Sequence, residues 1–308
     1  RAAGLVNGVL RSLVRQKDSL LEPPDPATRY SHPKWLADEF ARRLGVEEAE
    51  ALLEADNGEP PTCAQVNTLK TTAEALATSL KSQGVEAESH PWLPNCLLLR
   101  HTGSLEGLEE FQQGLFYIQG AAARLAVTAA DPRPGMRVLD ACAAPGGKSF
   151  AAAIAMGDRG EVVSCDIHPH KEKLIQAGAA RLGLTCIRTE VLDGKSCKEE
   201  FLDSFDLVIA DVPCSGLGII RKKPDIRYKD PKPLENLPQV QAAILDNVAR
   251  YVRPGGVLLY ATCTLLEREN EGVVREFLDR CKDFTPERFQ LPGGFEDAET
   301  GMVTCWPH

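Results

Sequence analysis

Two cysteines stand where an α/β protein commonly holds reactive side chains. The apolar run 205–211 feeds Asp211-Val212-Pro213-Cys214-Ser215-Gly216, and the run 257–260 feeds Ala261-Thr262-Cys263-Thr264. Each sulfur therefore falls just past the end of an expected strand. A single cysteine in such a place is commonly a small buried hydrophobe. Two of them on one edge, beside the acid Asp211, favour a functional reading, because a thiolate is a strong nucleophile.

A third stretch, Val138-Leu139-Asp140-Ala141-Cys142-Ala143-Ala144-Pro145-Gly146-Gly147-Lys148-Ser149, reads as strand, tight turn and helix. Glycines there let a ligand approach the backbone closely. It is not a phosphate loop, which needs Gly where Cys142 sits, and no G-x-G-x-x-G is present. A second apolar run, 161–165, ends in Asp166. An acid at the tip of the second strand is placed to accept hydrogen bonds from ribose hydroxyls, so the pair fits an adenosine ligand. The alternative is an ordinary helix-capping turn.

The elements that must position these residues follow from periodicity. From 136 onward, strands at 136–140, 161–166, 186–190, 205–211 and 256–262 alternate with helices at 149–156, 171–182, 239–251 and 267–280. Such alternation specifies a parallel sheet with helices on both faces, whose strand carboxyl ends lie on one edge. Asp140, Asp166, Asp193, Asp211 and Cys263 are then expected on one rim. Ahead of it, helices at 34–44 and 46–55 precede a strand, helix, strand pattern at 64–67, 72–83 and 96–100, a small α+β module. Residues 5–14 carry a helical apolar stripe with no evident partner, and Glu22-Pro23-Pro24-Asp25-Pro26 reads as a linker.

With 308 residues, 43% hydrophobic and 26% charged, the chain has material for about two domains. No apolar run approaches the roughly 20 residues of a membrane span. There is no signal peptide, and the start at Arg1 suggests a fragment or processed chain. Ten cysteines without a C-x-x-C pair argue against a zinc module and for reduced thiols in a cytoplasmic protein. A net charge of −9 argues against a nonspecific nucleic-acid coat, so any such partner must meet a local basic surface.

The glycine loop and the two cysteine segments together resemble the motifs of the RNA (cytosine-5)-methyltransferases that use S-adenosylmethionine. Within that family the chain is most similar to the bacterial small-subunit (16S) ribosomal RNA enzymes of the Sun/Fmu type. Further matches are Ile220-Arg221-Lys222-Lys223-Pro224-Asp225-Ile226-Arg227, Arg29-Tyr30-Ser31-His32-Pro33-Lys34-Trp35 and Leu5-Val6-Asn7-Gly8-Val9-Leu10-Arg11. The resemblance covers nearly the whole chain. It implies an α/β, Rossmann-like S-adenosylmethionine-dependent methyltransferase fold with a smaller N-terminal α+β RNA-recognition domain. Residues 1–21 would be the remnant helix of a NusB-like RNA-binding domain, 22–130 the helical plus α+β recognition domain, and 131–308 the methyltransferase domain. Family members usually continue past Trp306-Pro307-His308 into a final strand.

The same resemblance assigns roles. Carbon-5 of cytosine is a poor nucleophile until a thiolate adds at carbon-6 and makes the ring enamine-like. Cys263 would be that nucleophile, Asp211 would act at N3, Lys148 would contact the pyrimidine oxygen, and Cys214 would help eliminate the enzyme from the methylated base. The cofactor would lie across Cys142, Ala143, Ala144, Pro145, Gly146, Gly147 and Lys148, with Asp166 on the ribose and Asp193 near the adenine. Ile167, Asp211 and Pro213 complete its set, and Lys171 either reaches its carboxylate or is a plain surface lysine. The target base must be single-stranded or flipped to reach Cys263. Arg221, Lys222, Lys223 and Arg227 form the core of the densest basic segment, which holds phosphates around that base or is an ordinary solvated face. The expected partner is ribosomal RNA, with no membrane, no metal and a monomeric protein.

Other readings stay open: cytosine-5 methylation of tRNA or another RNA, methylation of a protein or small molecule with both cysteines structural, and a non-catalytic ribosome-assembly factor.

Overall fold

The computed structural model describes residues 2–19, 21, 23–295 and 300–308; Arg1 and Glu22, which bound the expected N-terminal segments, lie outside the described residues. Helix α1 (Ala2–Arg15) carries its apolar stripe in the open, from Leu13 at 44% exposure to Val14 at 73%. Helices α2 (Pro26–Arg29), α3 (Lys34–Leu44) and α4 (Val46–Ala55) follow. Asp25 caps α2 by accepting the Thr28 N–H. The apolar faces of α3 and α4 do not pack on the α+β module that comes next. Leu36, Phe40, Leu52 and Leu53 are buried with Leu217, Ile220, Ile226 and Leu265, residues just beyond Cys214 and Cys263.

The module itself is β1 (Thr62–Val66), α5 (Ala73–Ser82), β2 (Glu86–Ser89), β3 (Cys96–Arg100), α6 (Glu109–Gln112) and β4 (Phe116–Ile118). Its four strands run antiparallel in the order β2-β3-β1-β4. Thr72 starts α5 by accepting the Ala75 N–H, and Leu76 and Leu80 of that helix pack on Ala64, Val66, Leu97 and Leu99 of the sheet. A polar joint fastens this module to the rest. Asn67 donates to the carbonyls of Gly114 and Leu182 at 3.0 and 2.9 Å, and a Cβ on Gly114, at φ +70°, would lie 1.9 Å from the Arg181 carbonyl oxygen.

Then come α7 (Ala121–Ala129), β5 (Arg137–Asp140), α8 (Gly147–Ala155), β6 (Glu161–Asp166), α9 (Pro169–Leu182), β7 (Ile187–Val191), β8 (Phe205–Asp211), α10 (Pro231–Leu234), α11 (Leu237–Ala249), β9 (Val252–Ala261) and α12 (Glu271–Arg280). All five strands are parallel, in the order β7-β6-β5-β8-β9. Successive strand residues point to opposite faces, and in β5, β6 and β8 both faces are buried, which is why those strands read as apolar runs; the edge strand β7 has no buried residue. Val138, Val162 and Leu207 meet α8 and α9 on one side; Leu139, Val163 and Val208 meet Ile244, Leu245 and Phe277 of α11 and α12 on the other. Strand order reverses between β5 and β8. In open sheets of this kind ligands bind in the crevice at that point.

Candidate active site

The turn after β5 is shaped by one glycine. Gly146 sits at φ +111°, and a Cβ there would stand 2.4 Å from the Phe150 ring, so no other residue fits without displacing it. Ala143, Ala144, Pro145 and Gly146 thus pass tightly over the start of α8, whose first N–H groups have no intrahelical acceptor. Cys142 is largely covered, and burial pushes its thiol well above the ordinary range. Asp140 does not reach the rim. It is fully buried beneath the turn, accepting the Ser149 hydroxyl at 2.7 Å, while Ser164 donates to Ser149 at 2.8 Å. Burial raises this carboxyl to about 7.

The remaining acids do line the rim. Asp166, at the tip of β6, accepts the His168 N–H at 2.9 Å and faces Lys171 Nζ at 3.6 Å. Ile167 beside it is 50% exposed. Asp193 accepts the Lys195 N–H at 3.0 Å. Asp211, at the tip of β8, receives Lys148 Nζ at 2.5 Å, which bridges the glycine turn to the first cysteine segment.

The two sulfurs lie 3.1 Å apart, and the Cys263 N–H also points at Cys214 Sγ, at 3.2 Å. At that separation the pair is best served by one proton between them. Cys263 is the more exposed of the two. Its thiol is held below the ordinary range, first by the hydrogen bond from Cys214 and also by Lys148, against burial and Asp211. Cys214 is correspondingly pushed up, by its bond to Cys263 and then by burial. Such a pair offers one nucleophilic sulfur and one that keeps its proton.

Pro213 is exposed at the mouth of the site, while Ser215 behind it is fully buried. The Ser215 main chain is gripped from both sides, with its N–H on the buried Glu269 at 2.9 Å and its carbonyl on Lys229 at 2.7 Å. Glu269, Asn270 and Gln241 were not distinguished by sequence reasoning. Glu267-Arg268-Glu269-Asn270-Glu271 reads as a solvated helix start, and nothing in that charged run marks Glu269 as buried.

The basic segment divides. Arg227 is 4% exposed, and its guanidinium donates to Asn57 Oδ1 at 2.8 Å and to the carbonyls of Tyr30 and Ser31, both at 3.2 Å. Arg221 donates to the carbonyls of Ala55 and Pro307, at 2.9 and 2.6 Å. These two arginines, expected on phosphates, instead clasp the N-terminal helices, because main-chain carbonyls at the ends of α2 and α4 face them. Lys222 and Lys223 remain exposed, with no ion-pair partner among the described residues. Tyr228 is 64% exposed and donates to the Ser31 carbonyl at 2.8 Å.

Among the described residues no cluster of His, Cys, Asp and Glu could hold a metal ion. None of their helices is long and apolar enough to cross a membrane.

The chain is similar to several known proteins. A probable ribosomal RNA small subunit methyltransferase B of Bacillus subtilis is 39% identical over 292 residues, covering 92% of this chain and 65% of its own. A probable enzyme of the same name from Synechocystis is 34% identical, covering 99% of this chain and 71% of its own. The chain therefore spans about two thirds of these relatives' length. Among solved structures, a methyltransferase homolog from Pyrococcus horikoshii superposes with a TM-score of 0.73 at 30% identity, over 84% of this chain and 83% of that one. NSun6 from the same organism, solved with SFG, shares the fold at a TM-score of 0.75 and 23% identity, over 84% of this chain and 90% of its own. Residues 32–106 match the ferredoxin-like domain described as Methyltr_RsmF/B-like. With residues 127–308, the whole parallel sheet and both cysteine loops, matching its family model, the chain belongs to the 16S rRNA methyltransferase RsmB/F family.

Proposed function

We propose that this protein transfers a methyl group from S-adenosylmethionine to carbon-5 of a cytosine in small-subunit ribosomal RNA through a covalent adduct on Cys263. The observation that carries the reading is the pair of sulfurs 3.1 Å apart, beside the Lys148–Asp211 ion pair at the strand-order reversal. The printed names of the Bacillus subtilis and Synechocystis relatives support the ribosomal substrate. The cofactor fits the residues present. Gly146 keeps the turn thin where a side chain would collide, and one Asp166 oxygen, engaged only by Lys171 at 3.6 Å, is free for a ribose hydroxyl. The cofactor set is Cys142 to Lys148 by backbone and side chain, with Asp166, Ile167, Lys171, Asp193, Asp211 and Pro213 around it.

S-adenosylmethionine, when bound, supplies an electrophilic methyl group. Cys263 adds to carbon-6 of the flipped base as the thiolate that its neighbours favour. Asp211 and Lys148, paired with each other in the free protein, would turn to N3 and the pyrimidine oxygen; Asp211, having taken up a proton, would give it to N3 as the thiolate adds, and Lys148 would stabilise the charge that develops on the ring. Cys214, within contact of Cys263, serves the elimination that frees the methylated base. Residues 22–130 would recognise RNA, residues 131–308 would carry the chemistry, and residues 1–21 would be the remnant of a further RNA-binding unit. Lys222 and Lys223 would meet phosphates. On this reading the protein works as a cytoplasmic monomer.

Labelled methyl transfer to unmodified 16S ribosomal RNA, followed by base mapping, tests the proposal. One labelled 5-methylcytosine is expected. No transfer by folded protein, or label on any other atom, overturns it; label on tRNA instead changes the substrate and keeps the chemistry. Cys263→Ala should abolish transfer, whereas Cys214→Ala should accumulate a protein–RNA adduct that survives denaturing electrophoresis.

A further inference from the structure

Glu269 is fully buried, and the chemistry above gives it nothing to do. Its Oε2 accepts the Ser215 N–H at 2.9 Å and the Gln241 amide at 2.9 Å, and that same amide donates to the Pro213 carbonyl at 3.0 Å. The main chain on both sides of Cys214 is therefore held by one carboxylate, directly at Ser215 and through Gln241 at Pro213. Asn270 does the same for the other loop. Its Nδ2 donates to the Thr264 carbonyl at 2.9 Å, and its Oδ1 accepts the Thr262 hydroxyl, so it brackets Cys263. The two gripping residues are consecutive, and the Tyr260 hydroxyl ties the Glu269 carbonyl to β9 at 2.6 Å. A single peptide link thus joins the holder of one sulfur to the holder of the other. Among the described residues Glu269 Oε1 has no hydrogen-bond partner, an arrangement that costs stability for a buried carboxyl.

We infer that Glu269 and Asn270 are positioning residues that together set the separation of the Cys214 and Cys263 sulfurs. The inference deepens the two-thiol reading above: loss of Glu269 is felt at Cys214 and therefore in release of the base, and loss of Asn270 at Cys263 and therefore in addition.

The first test needs neither RNA nor cofactor. Diamide joins two adjacent thiols by taking two protons and two electrons from them, and peptide mass measurement follows the Cys214–Cys263 bridge with time. Wild type and Glu269→Gln, whose amide oxygen can still accept both N–H groups, should close at the same rate. Glu269→Ala and Asn270→Ala should close about tenfold or more slowly, since misplacement by about 1 Å costs up to about a hundredfold where geometry is limiting. Equal rates in variants that keep the wild-type circular dichroism overturn the inference. Gln241→Ala, which loses the Pro213 arm, decides the point if Glu269→Ala does not fold. The second test adds S-adenosylmethionine and ribosomal RNA. Glu269→Ala should accumulate adduct as Cys214→Ala does, and Asn270→Ala should form less adduct than wild type; the reverse pattern refutes the assignment of one holder to each sulfur. If wild type and Cys214→Ala transfer no methyl at all, the proposed function falls, and the bridging rates still decide the positioning role.

Discussion

Replacing Arg227 by Met separates a clasp from a phosphate contact. The side chain is 4% exposed and makes one short hydrogen bond, to Asn57 at 2.8 Å, with three longer ones at 3.2, 3.2 and 3.4 Å to the carbonyls of Tyr30, Ser31 and Asp56. A well-formed hydrogen bond from a charged donor contributes about 1.5–3 kcal/mol, and only one of these is well formed. The Tyr30 and Ser31 carbonyls keep donors in Asn57 and Tyr228, so the expected loss is that of the charged bond, about 1.5–3 kcal/mol. Among the described residues Lys222 and Lys223 have no such partners. Changing both to Gln should alter stability by less than about 0.5 kcal/mol, while lowering the salt slope of RNA binding by about 1.4, at about 0.7 per single-strand phosphate contact. Urea unfolding and a salt titration of RNA affinity on each variant measure both quantities. If Arg227→Met lost less than about 1 kcal/mol and flattened the slope as the lysine pair does, the guanidinium would face RNA, and the clasp would be refuted.

Asp166→Ala should weaken S-adenosylmethionine binding by about 1.5–3 kcal/mol in calorimetry, with the melting temperature held, because it removes a charged acceptor; unchanged affinity would remove Asp166 from the site. Gly146→Ala should abolish detectable cofactor binding, since left-handed backbone costs about 1–2 kcal/mol for an L side chain and the new Cβ would displace Phe150 for about 1–3 kcal/mol more. Asp140→Asn reports on pH. The carboxyl rises from 3.8 to about 7 on folding, so the folded state binds the extra proton between those values and stability falls as pH rises through that window. The Asn variant should show a flatter decline from pH 4 to 7 in urea melts, and an identical slope would mean that Asp140 does not titrate there.

Much of the fold was legible because a parallel sheet buried on both faces writes its strands as apolar runs. The strands at 96–100, 161–166 and 205–211 agree with β3, β6 and β8 residue for residue, and the other expected strands differ at their ends by a few residues. Strand β2 was not legible. Glu86-Ala87-Glu88-Ser89 has no apolar pattern, and only pairing with β3 at the sheet edge makes it a strand.

The site was legible where chemistry sits on the ends of those strands and illegible where burial decides the role. Asp140 and Asp166 carry the same signal, an acid closing an apolar run. They part because Ser149, in the first turn of α8, donates its hydroxyl to Asp140 beneath the loop, whereas among the described residues Asp166 meets its own following main chain and Lys171. Arg227 and Lys223 likewise read alike, yet the acceptors that claim Arg227 lie at residues 30, 31 and 57, far away in sequence. Glu269 is the extreme case. A charged run gives a carboxylate no reason to be inside, and what draws it in is a pair of buried N–H donors, the Ser215 main chain and the Gln241 amide, that it accepts beneath the cysteine loop. Long-range polar satisfaction of this kind, unlike apolar periodicity, leaves no local trace in the chain.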